Sequence, residues 1–287
     1  MITDPGYPDP IPPGESLAAE PSSIVRLAPH VRIPYTTQFS MGVEQQLQKT
    51  TTLTTTYIGT RVISAFSSHD VNAPLPPLYQ GRPNPGIAVL RQIESSGRLE
   101  SNSLEVALRG EVTHFFSGMI QYVFGRTYNN TGGINWFPAN NWDLSGEWAR
   151  ADFDERHRFN LLGTLRPWRL FILGVGLSLN SGAPYTITTG RDDNSDGVAN
   201  DRPAGVPRNS AQGPGYASLD VRWSRDFFLI KTKKDKGPTV TFAADAFNVL
   251  NRTNYSGLVG NQSSPFYGLA VSSRPARRLQ LSLRFKL

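Results

Sequence analysis

The chain contains no cysteine, and this absence excludes disulfide frameworks and thiolate metal centres. Charged residues make up only 18% of its 287 positions, below the ~25% that is usual in globular proteins. Long hydrophobic runs are also missing, because residues 170–190, one of the two longest uncharged stretches, contain Asn180, Ser181 and Pro184. The N-terminus has neither the basic nor the apolar region of a signal peptide. The chain is therefore neither a helical membrane protein nor a charged disordered polymer.

The net charge of +6 raises the question of nucleic-acid binding. Lysine and arginine are scattered along the chain, however, and only Lys231–Lys236 forms a basic run. A nucleic-acid-binding protein concentrates its positive charge in a patch or stripe. We therefore predict no nucleic-acid partner.

The clearest positive pattern lies in the last residues of the chain. From Leu279 to Leu287 every odd position is apolar, and from Arg278 to Lys286 every even position is polar or charged. This period of two is typical of a β-strand with one apolar and one polar face. Closure of a transmembrane barrel is one way to leave no exposed edge on such a strand.

Similar alternation predicts about nine strands and an all-β, antiparallel transmembrane barrel. In residues 171–179 the odd positions are apolar, and Ala217, Leu219, Val221 and Trp223 alternate with polar residues in the same way. The predicted strands lie near residues 35–47, 51–62, 98–111, 115–127, 154–166, 169–190, 214–228, 237–250 and 276–287.

The connections between these strands alternate strictly between short and long. Aromatic residues also concentrate near both ends of the strands. Outer-membrane barrels have short periplasmic turns, long extracellular loops and two aromatic girdles. We therefore predict localisation in the cell outer membrane of a Gram-negative-type envelope, with membrane lipid as a partner.

The odd strand number predicts that the chain is part of a larger barrel, because bacterial single-chain barrels have even counts. We expect residues 1–34 to be the remainder of an extracellular loop and residues 35–287 to be the C-terminal part of the barrel. An exported protein also needs a signal, so we expect that further chain precedes Met1 in the native protein.

Several short segments, in this order and spacing, resemble TonB-dependent outer-membrane receptors, in particular their Oar-like branch. The resemblance covers most of the chain from about residue 30. The segments are Tyr57–Arg61, Asn72–Pro74, Asp152–Phe159, Gly182–Tyr185, Asn200–Pro203 and Ala246–Asn251.

The resemblance implies a barrel of about 22 strands around an N-terminal plug. It also implies uptake of a bulky, unidentified substrate, energised by TonB through an N-terminal region that this chain does not contain. The last strand, residues 278–287, would engage the barrel-assembly machinery.

The sharpest local motif is the acidic segment 192–201. Asp192, Asn194 and Asp196 match positions 1, 3 and 5 of a calcium loop, with Gly197 at the sharp turn. Position 12 is Pro203 instead of the bidentate glutamate, and no helices flank the motif. Two interpretations stay open: a weak surface Ca²⁺ site, or a solvated loop rich in Asx turns.

Trp136 and Trp142 lie in a long connection rich in asparagine and glycine. Indole faces beside amide donors suit a glycan or peptide ligand, and they also suit loops that pack on one another. We predict no catalytic residues, no enzyme activity and no cofactor other than the Ca²⁺ considered above, because the four histidines lack ligand spacing and no nucleophile motif occurs.

Two functional classes therefore remain for the predicted barrel. The first is the barrel portion of a TonB-dependent transporter, and the second is an adhesin or barrel enzyme that acts through its surface loops. A soluble all-β binding domain is a third, weaker alternative.

Overall fold

A computed structural model describes residues 21–168, 171–228 and 237–286 as an all-β protein. Nine long strands dominate it, and each coincides with one of the nine predicted segments. These strands are β2 (Tyr35–Gln48), β3 (Thr51–Asp70), β4 (Ile87–Thr113), β5 (Phe116–Asn129), β7 (His157–Trp168), β8 (Phe171–Asn180), β11 (Tyr216–Phe228), β12 (Thr239–Phe247) and β15 (Arg278–Lys286).

Six short strands and one 3-10 helix, Ser145–Glu147, complete the described structure. The short strands are β1 (Ser22–Leu27), β6 (Ala149–Arg150), β9 (Pro184–Tyr185), β10 (Ala211–Gln212), β13 (Tyr255–Leu258) and β14 (Ala270–Ser273). Within the described ranges, no helix has the length and hydrophobicity to cross a bilayer.

The long strands form one antiparallel meander in the order β2-β3-β4-β5-β7-β8-β11-β12-β15. Each long strand pairs with the long strands that precede and follow it along the chain. In the part of the chain that is described, the sheet is not closed, and β2 and β15 form its two edges. The predicted antiparallel barrel is therefore present as a partial barrel.

The register gives the sheet one apolar and one polar face, because directly paired residues point to the same side. Leu177 of β8 pairs with Leu161 and Leu219, and these side chains belong to what we call the apolar face. Ser178 pairs with Asn160 and Ser218 on the polar face. In β15, Leu279, Leu281, Leu283 and Phe285 extend the apolar face to the last described strand. The alternation predicted from the sequence is thus present across the sheet.

Two strands extend much further toward the long connections than the sequence predicted. β3 continues to Asp70 instead of residue 62, and β4 begins at Ile87 instead of residue 98. Bulges interrupt their pairing between Val62 and Ser67. The bulges break the period of two, and this hid the extension from sequence analysis.

Two other predicted boundaries are wrong because the chain makes different contacts there. β8 ends at Asn180 instead of residue 190, since the chain beyond it leaves the large sheet and Pro184–Tyr185 pairs with Ala211–Gln212. β7 begins at His157 instead of residue 154, since the Asp154 carboxylate accepts a hydrogen bond from the Thr127 amide at 2.8 Å.

The short turns that are described lie at 49–50 and 114–115. Beside the first, Gly110 adopts a φ of +124°, and a Cβ there would lie 1.7 Å from the carbonyl oxygen of Thr50. Only glycine fits this approach, which lets the Thr51 hydroxyl donate to the Glu111 carbonyl at 2.6 Å. A third short connection was predicted at residues 166–168, but β7 continues to Trp168. The fourth, near residues 229–236, lies outside the described residues.

Candidate functional site

The long connections meet at one end of the sheet and hold one another through buried polar groups. We call residues 70–87, 130–156 and 186–210 the loop cluster. Its segments are far apart in the sequence, so their contacts follow from the meander rather than from any local pattern. The loop cluster is the candidate functional site because binding residues concentrate on loops that a rigid scaffold positions.

Asp70 anchors the first of these connections where β3 ends. Its side chain is almost fully buried, and its carboxylate accepts hydrogen bonds from the amides of Asn72 and Leu90, both at 2.9 Å, and from Arg82. Asn141 accepts a hydrogen bond from the Asp70 amide at 2.7 Å and donates one to the Asp196 carboxylate at 2.7 Å. Three long connections therefore meet at the Asn141 side chain.

Glu147 is the second anchor, with only 1% of its surface exposed. Its carboxylate accepts hydrogen bonds from Arg202 at 2.7 Å and from the Ala139 amide at 3.1 Å, and Arg208 lies 3.8 Å away. Arg208 also donates to the Asn129 carbonyl at 2.7 Å. Burial lowers the pKa of Arg208, and the negative charge of Glu147 opposes that shift. The carboxylate thus ties two connections together and compensates two buried guanidinium groups.

The predicted calcium motif forms a tight turn within the loop cluster. The Asp192 carboxylate accepts hydrogen bonds from the amides of Asp196 at 3.0 Å and Gly197 at 2.9 Å. Asn194 accepts from the Asp196 amide at 3.0 Å, and Asp196 accepts from Val198 at 2.8 Å. The three predicted side chains are therefore brought together, with their oxygens directed at backbone amides.

This arrangement limits the oxygen ligands that are available to a cation. Within the described ranges, no three His, Cys, Asp or Glu side chains are grouped closely enough to hold a metal ion. Calcium would have to combine the carboxylates of Asp192 and Asp196 with amide or carbonyl oxygens, which are acceptable hard ligands. Calcium binding stays a prediction.

Two carboxyl groups of this segment are shifted toward their protonated forms. Burial, reinforced by the charge of Asp196, raises the pKa of Asp201 to about 6. Burial also raises the pKa of Asp196. In contrast, hydrogen bonds from Ser145 lower the pKa of the exposed Asp143. The loop cluster therefore holds at least one carboxyl group that titrates near neutral pH.

The two predicted tryptophans have different surroundings. Trp142 is 41% exposed, and its Nε1 donates to the Pro74 carbonyl at 3.0 Å, so the indole is oriented but still accessible. Trp136 lies under the Arg208 guanidinium, 5.4 Å from the ring centroid. Trp142 is thus the better placed of the two for ligand contact, which stays a prediction for both.

A polar pocket of about 380 Å³ opens between these connections. Among the residues that line it are Tyr79, Asn140, Asp143, Asp201 and Arg202. Sequence analysis did not identify this pocket, or Asp70, Asn141 and Glu147 as anchors. The only signal was indirect, since Asn72 and Arg202 lie in segments that carry the resemblance described above.

A family model described as "Outer membrane beta barrel domain" matches residues 2–169. The chain belongs to this family. The outer membrane beta barrel domain therefore lies in the cell outer membrane, as predicted, where its apolar face meets lipid and its polar face meets the lumen.

Three solved structures are similar to this outer membrane beta barrel domain, each with 12% sequence identity. The outer membrane transporter YddB from Escherichia coli matches with a TM-score of 0.60 over 93% of this chain and 34% of its own. The ferric-catecholate import receptor Fiu from E. coli matches with a TM-score of 0.52, over 88% and 28%. The FrpB iron transporter from Neisseria meningitidis matches with a TM-score of 0.50, over 91% and 32%.

These three proteins are transporters or receptors rather than enzymes. The chain spans about a third of their length. No curated protein matches it. The likeness shows a shared barrel fold, as the alternating strands predicted.

Proposed function

We propose that this chain is the C-terminal barrel portion of a TonB-dependent receptor, of the Oar-like branch, that imports a bulky substrate. One observation carries the proposal: 93% of the chain follows the fold of an outer membrane transporter while covering only 34% of that protein. Further strands would pair with the edges at β2 and β15, because unpaired backbone groups are costly in lipid. A barrel of that size has a lumen wide enough to need a plug.

The polar face supports this proposal because it forms a hydrophilic wall. Arg222 lies 3.2 Å from the Asp245 carboxylate, and Gln121 donates to Glu105 at 2.6 Å. Paired charges and amides of this kind suit a water-filled or plugged lumen rather than a dry core. In the proposed receptor this wall would surround the plug and the path of the substrate.

The loop cluster would form the outer entrance. Its polar pocket and the accessible indole of Trp142 would contact the substrate, with Trp136 in support. Buried anchors such as Glu147 hold this surface in one arrangement, and this lowers the entropy lost on binding. TonB would act through a region outside this chain, and β15 would engage the barrel-assembly machinery.

Cysteine labelling tests both the orientation and the energy coupling. With a membrane-impermeant maleimide on intact cells, we expect Ser195→Cys to label and His114→Cys not to label, since they lie at opposite ends of the sheet. Ser178→Cys faces the lumen, and we expect it to label faster in energised cells than in cells that lack TonB. The measurement is the labelling rate at each site. Ser195 is a suitable outer reporter because its side chain is exposed.

Leu177→Cys is the matched control, because its side chain is adjacent to Ser178 but faces lipid. It should label slowly with and without TonB. Labelling of Ser178→Cys at the same rate in both strains would contradict energy coupling and favour an adhesin. Labelling of His114→Cys from outside would reverse the orientation.

We expect protonation of Asp201 and binding of calcium each to stabilise residues 193–201, the first in acid and the second at neutral pH. The folded loop holds the Asp201 proton with a pKa of about 6 against an ordinary value of 3.8, so the folded state binds the proton more tightly. The stability of the loop should therefore be greatest in acid and fall as the pH rises from 3.8 to about 6. Calcium favours ionised carboxylates, so adding it at neutral pH should restore the protection. Hydrogen exchange of the loop amides, corrected for intrinsic rates, measures both effects.

Asp201→Asn should abolish the pH dependence in this range, whereas Asp143→Asn should leave it unchanged. Exchange that is independent of pH, or equally dependent in both variants, would contradict the role of Asp201. Exchange that millimolar calcium does not slow would remove the calcium hypothesis and leave the solvated Asx-rich loop.

A further inference from the structure

A belt of charged and aromatic residues lies on the apolar face, directly beyond its hydrophobic part. Leu104 of β4 pairs with Phe124 of β5, and both side chains are on the apolar face. Two residues further toward the loop cluster, the pair on this face is Asn102 with Arg126. The next pair is Glu100 with Tyr128. The same face thus changes within two strand positions from apolar to polar and charged.

Four arginines converge on this belt, and only two of them, Arg61 and Arg156, have a carboxylate partner among the described residues. Arg61 lies 3.1 Å from the Glu100 carboxylate. The guanidinium groups of Arg98 and Arg126 are exposed and make no ion pair or hydrogen bond with any residue that the structure describes. The belt therefore carries two guanidinium groups, those of Arg98 and Arg126, whose charge no carboxylate of the described residues compensates.

Arg156 adds a further guanidinium group, whose ion pair with Asp154 is long. Its Nη2 contacts the Tyr128 hydroxyl at 3.4 Å, while its Nε is buried and has no hydrogen-bond partner among the described residues. The nearest carboxylate, Asp154, lies 3.6 Å away and already binds Arg150 at 2.7 Å. The Arg156 side chain is 43% exposed, so part of its guanidinium group is accessible to a ligand, whereas the buried Nε is not.

These residues line two adjoining depressions, which we call the basic groove. The larger has a volume of about 840 Å³ and includes Arg61, Arg126 and Arg156. The second, of about 580 Å³, includes Arg98 and Trp148. Leu104 and Phe124 line the larger depression on the side toward the hydrophobic part of the sheet. The basic groove thus joins cationic and apolar surfaces, as an amphiphile requires.

We propose that the basic groove binds the phosphate-bearing headgroup of a lipid in the outer leaflet. The apolar face contacts acyl chains in the outer membrane, so the region beyond its hydrophobic part lies at headgroup level. Guanidinium groups bind phosphate through paired, charge-assisted hydrogen bonds. Trp148 stacks on Tyr128, with 6.3 Å between the ring centroids. Tryptophan and tyrosine are the residues enriched at the headgroup level of membranes.

The position of the groove favours a membrane lipid over a free anion. The arginines lie on the side of the sheet that faces the bilayer, away from the lumen and from the polar pocket of the loop cluster. A free phosphate ion would gain nothing from Leu104 and Phe124. A lipid would gain from both, because its chains continue along the apolar face while its phosphate meets the arginines.

Native mass spectrometry of the whole detergent-solubilised protein with added lipid A tests the proposal. We expect the doubly substituted variant Arg98→Glu, Arg126→Glu to bind lipid A at least about tenfold more weakly than the wild type. Arg158→Glu is the matched control, because Arg158 lies on the polar face of β7, and its binding should be unchanged. Enzymatically dephosphorylated lipid A should bind the wild type as weakly as it binds the double variant.

A second variant tests whether the first loses binding through its changed charge or through misfolding. Arg98→Lys, Arg126→Lys keeps both charges and should retain most of the binding, and all variants should keep the heat-modifiable gel mobility of the wild type. Undiminished binding to the double glutamate variant would overturn the proposal, as would equal binding of dephosphorylated lipid. If inorganic phosphate alone displaced lipid A at low concentration, the groove would be a free-anion site instead.

Discussion

Leu177→Arg should lower the free energy of unfolding of the barrel by about 2–4 kcal/mol, as expected for arginine on a lipid-facing side chain near the bilayer midplane. Leu177 lies in β8 between Leu161 and Leu219 on the apolar face, so the new charge would have no water and no partner beside it. Urea unfolding of the protein folded into lipid vesicles measures the change.

Ser178→Arg is the matched control for this substitution. Ser178 is adjacent in the chain but faces the lumen, where it donates a hydrogen bond to Asn160 at 3.1 Å. Loss of that bond should cost only about 0.5–1.5 kcal/mol, because arginine remains hydrated there. Equal costs at the two positions, or a larger cost at Ser178, would show that the two faces have been assigned to the wrong environments.

Glu147→Ala should lower the stability of the loop cluster by about 3–5 kcal/mol, the cost of leaving a buried charge uncompensated. Removal of the carboxylate would leave Arg202 and Arg208 buried side by side without their anion. The strands do not depend on this contact, so the barrel should persist while the loops open. Limited proteolysis within residues 130–156 and 186–210 on intact cells measures the opening.

Glu100→Ala is the control for this prediction, because Glu100 pairs with Arg61 at 3.1 Å where both side chains are well exposed. Exposed ion pairs contribute about 0–1 kcal/mol, so this variant should leave proteolysis unchanged. The double variant Glu147→Met, Arg202→Leu should regain part of the protection by removing a charge of each sign. Equal proteolysis of Glu147→Ala and the wild type would contradict the anchoring role.

The strands could be predicted because their signal is local. In β8 and β15 the polarity of each residue indicates which face of the sheet it occupies. The register then places residues of the same polarity beside it in the neighbouring strand. The interrupted regions show the limit of that signal. Beyond Val62 the pairing of β3 is bulged, so the alternation fails although the strand continues to Asp70.

The loop cluster could be predicted only in part. The spacing of Asp192, Asn194 and Asp196 left a Ca²⁺ site or an Asx-rich loop open, and in the structure Asp192 and Asn194 bond amides two to five residues away. Glu147 gave no such signal, since its partner Arg202 is 55 residues distant and either residue alone resembles an ordinary surface charge.

The sequence by itself determined that the chain forms strands with one apolar and one polar face, because apolar and polar residues alternate along each strand. Only the tertiary structure decided which distant polar residues meet. Asn141 joins Asp70 to Asp196, and four arginines lie together on the lipid side of the sheet. These residues are far apart in the sequence, and the meander of strands brings them together.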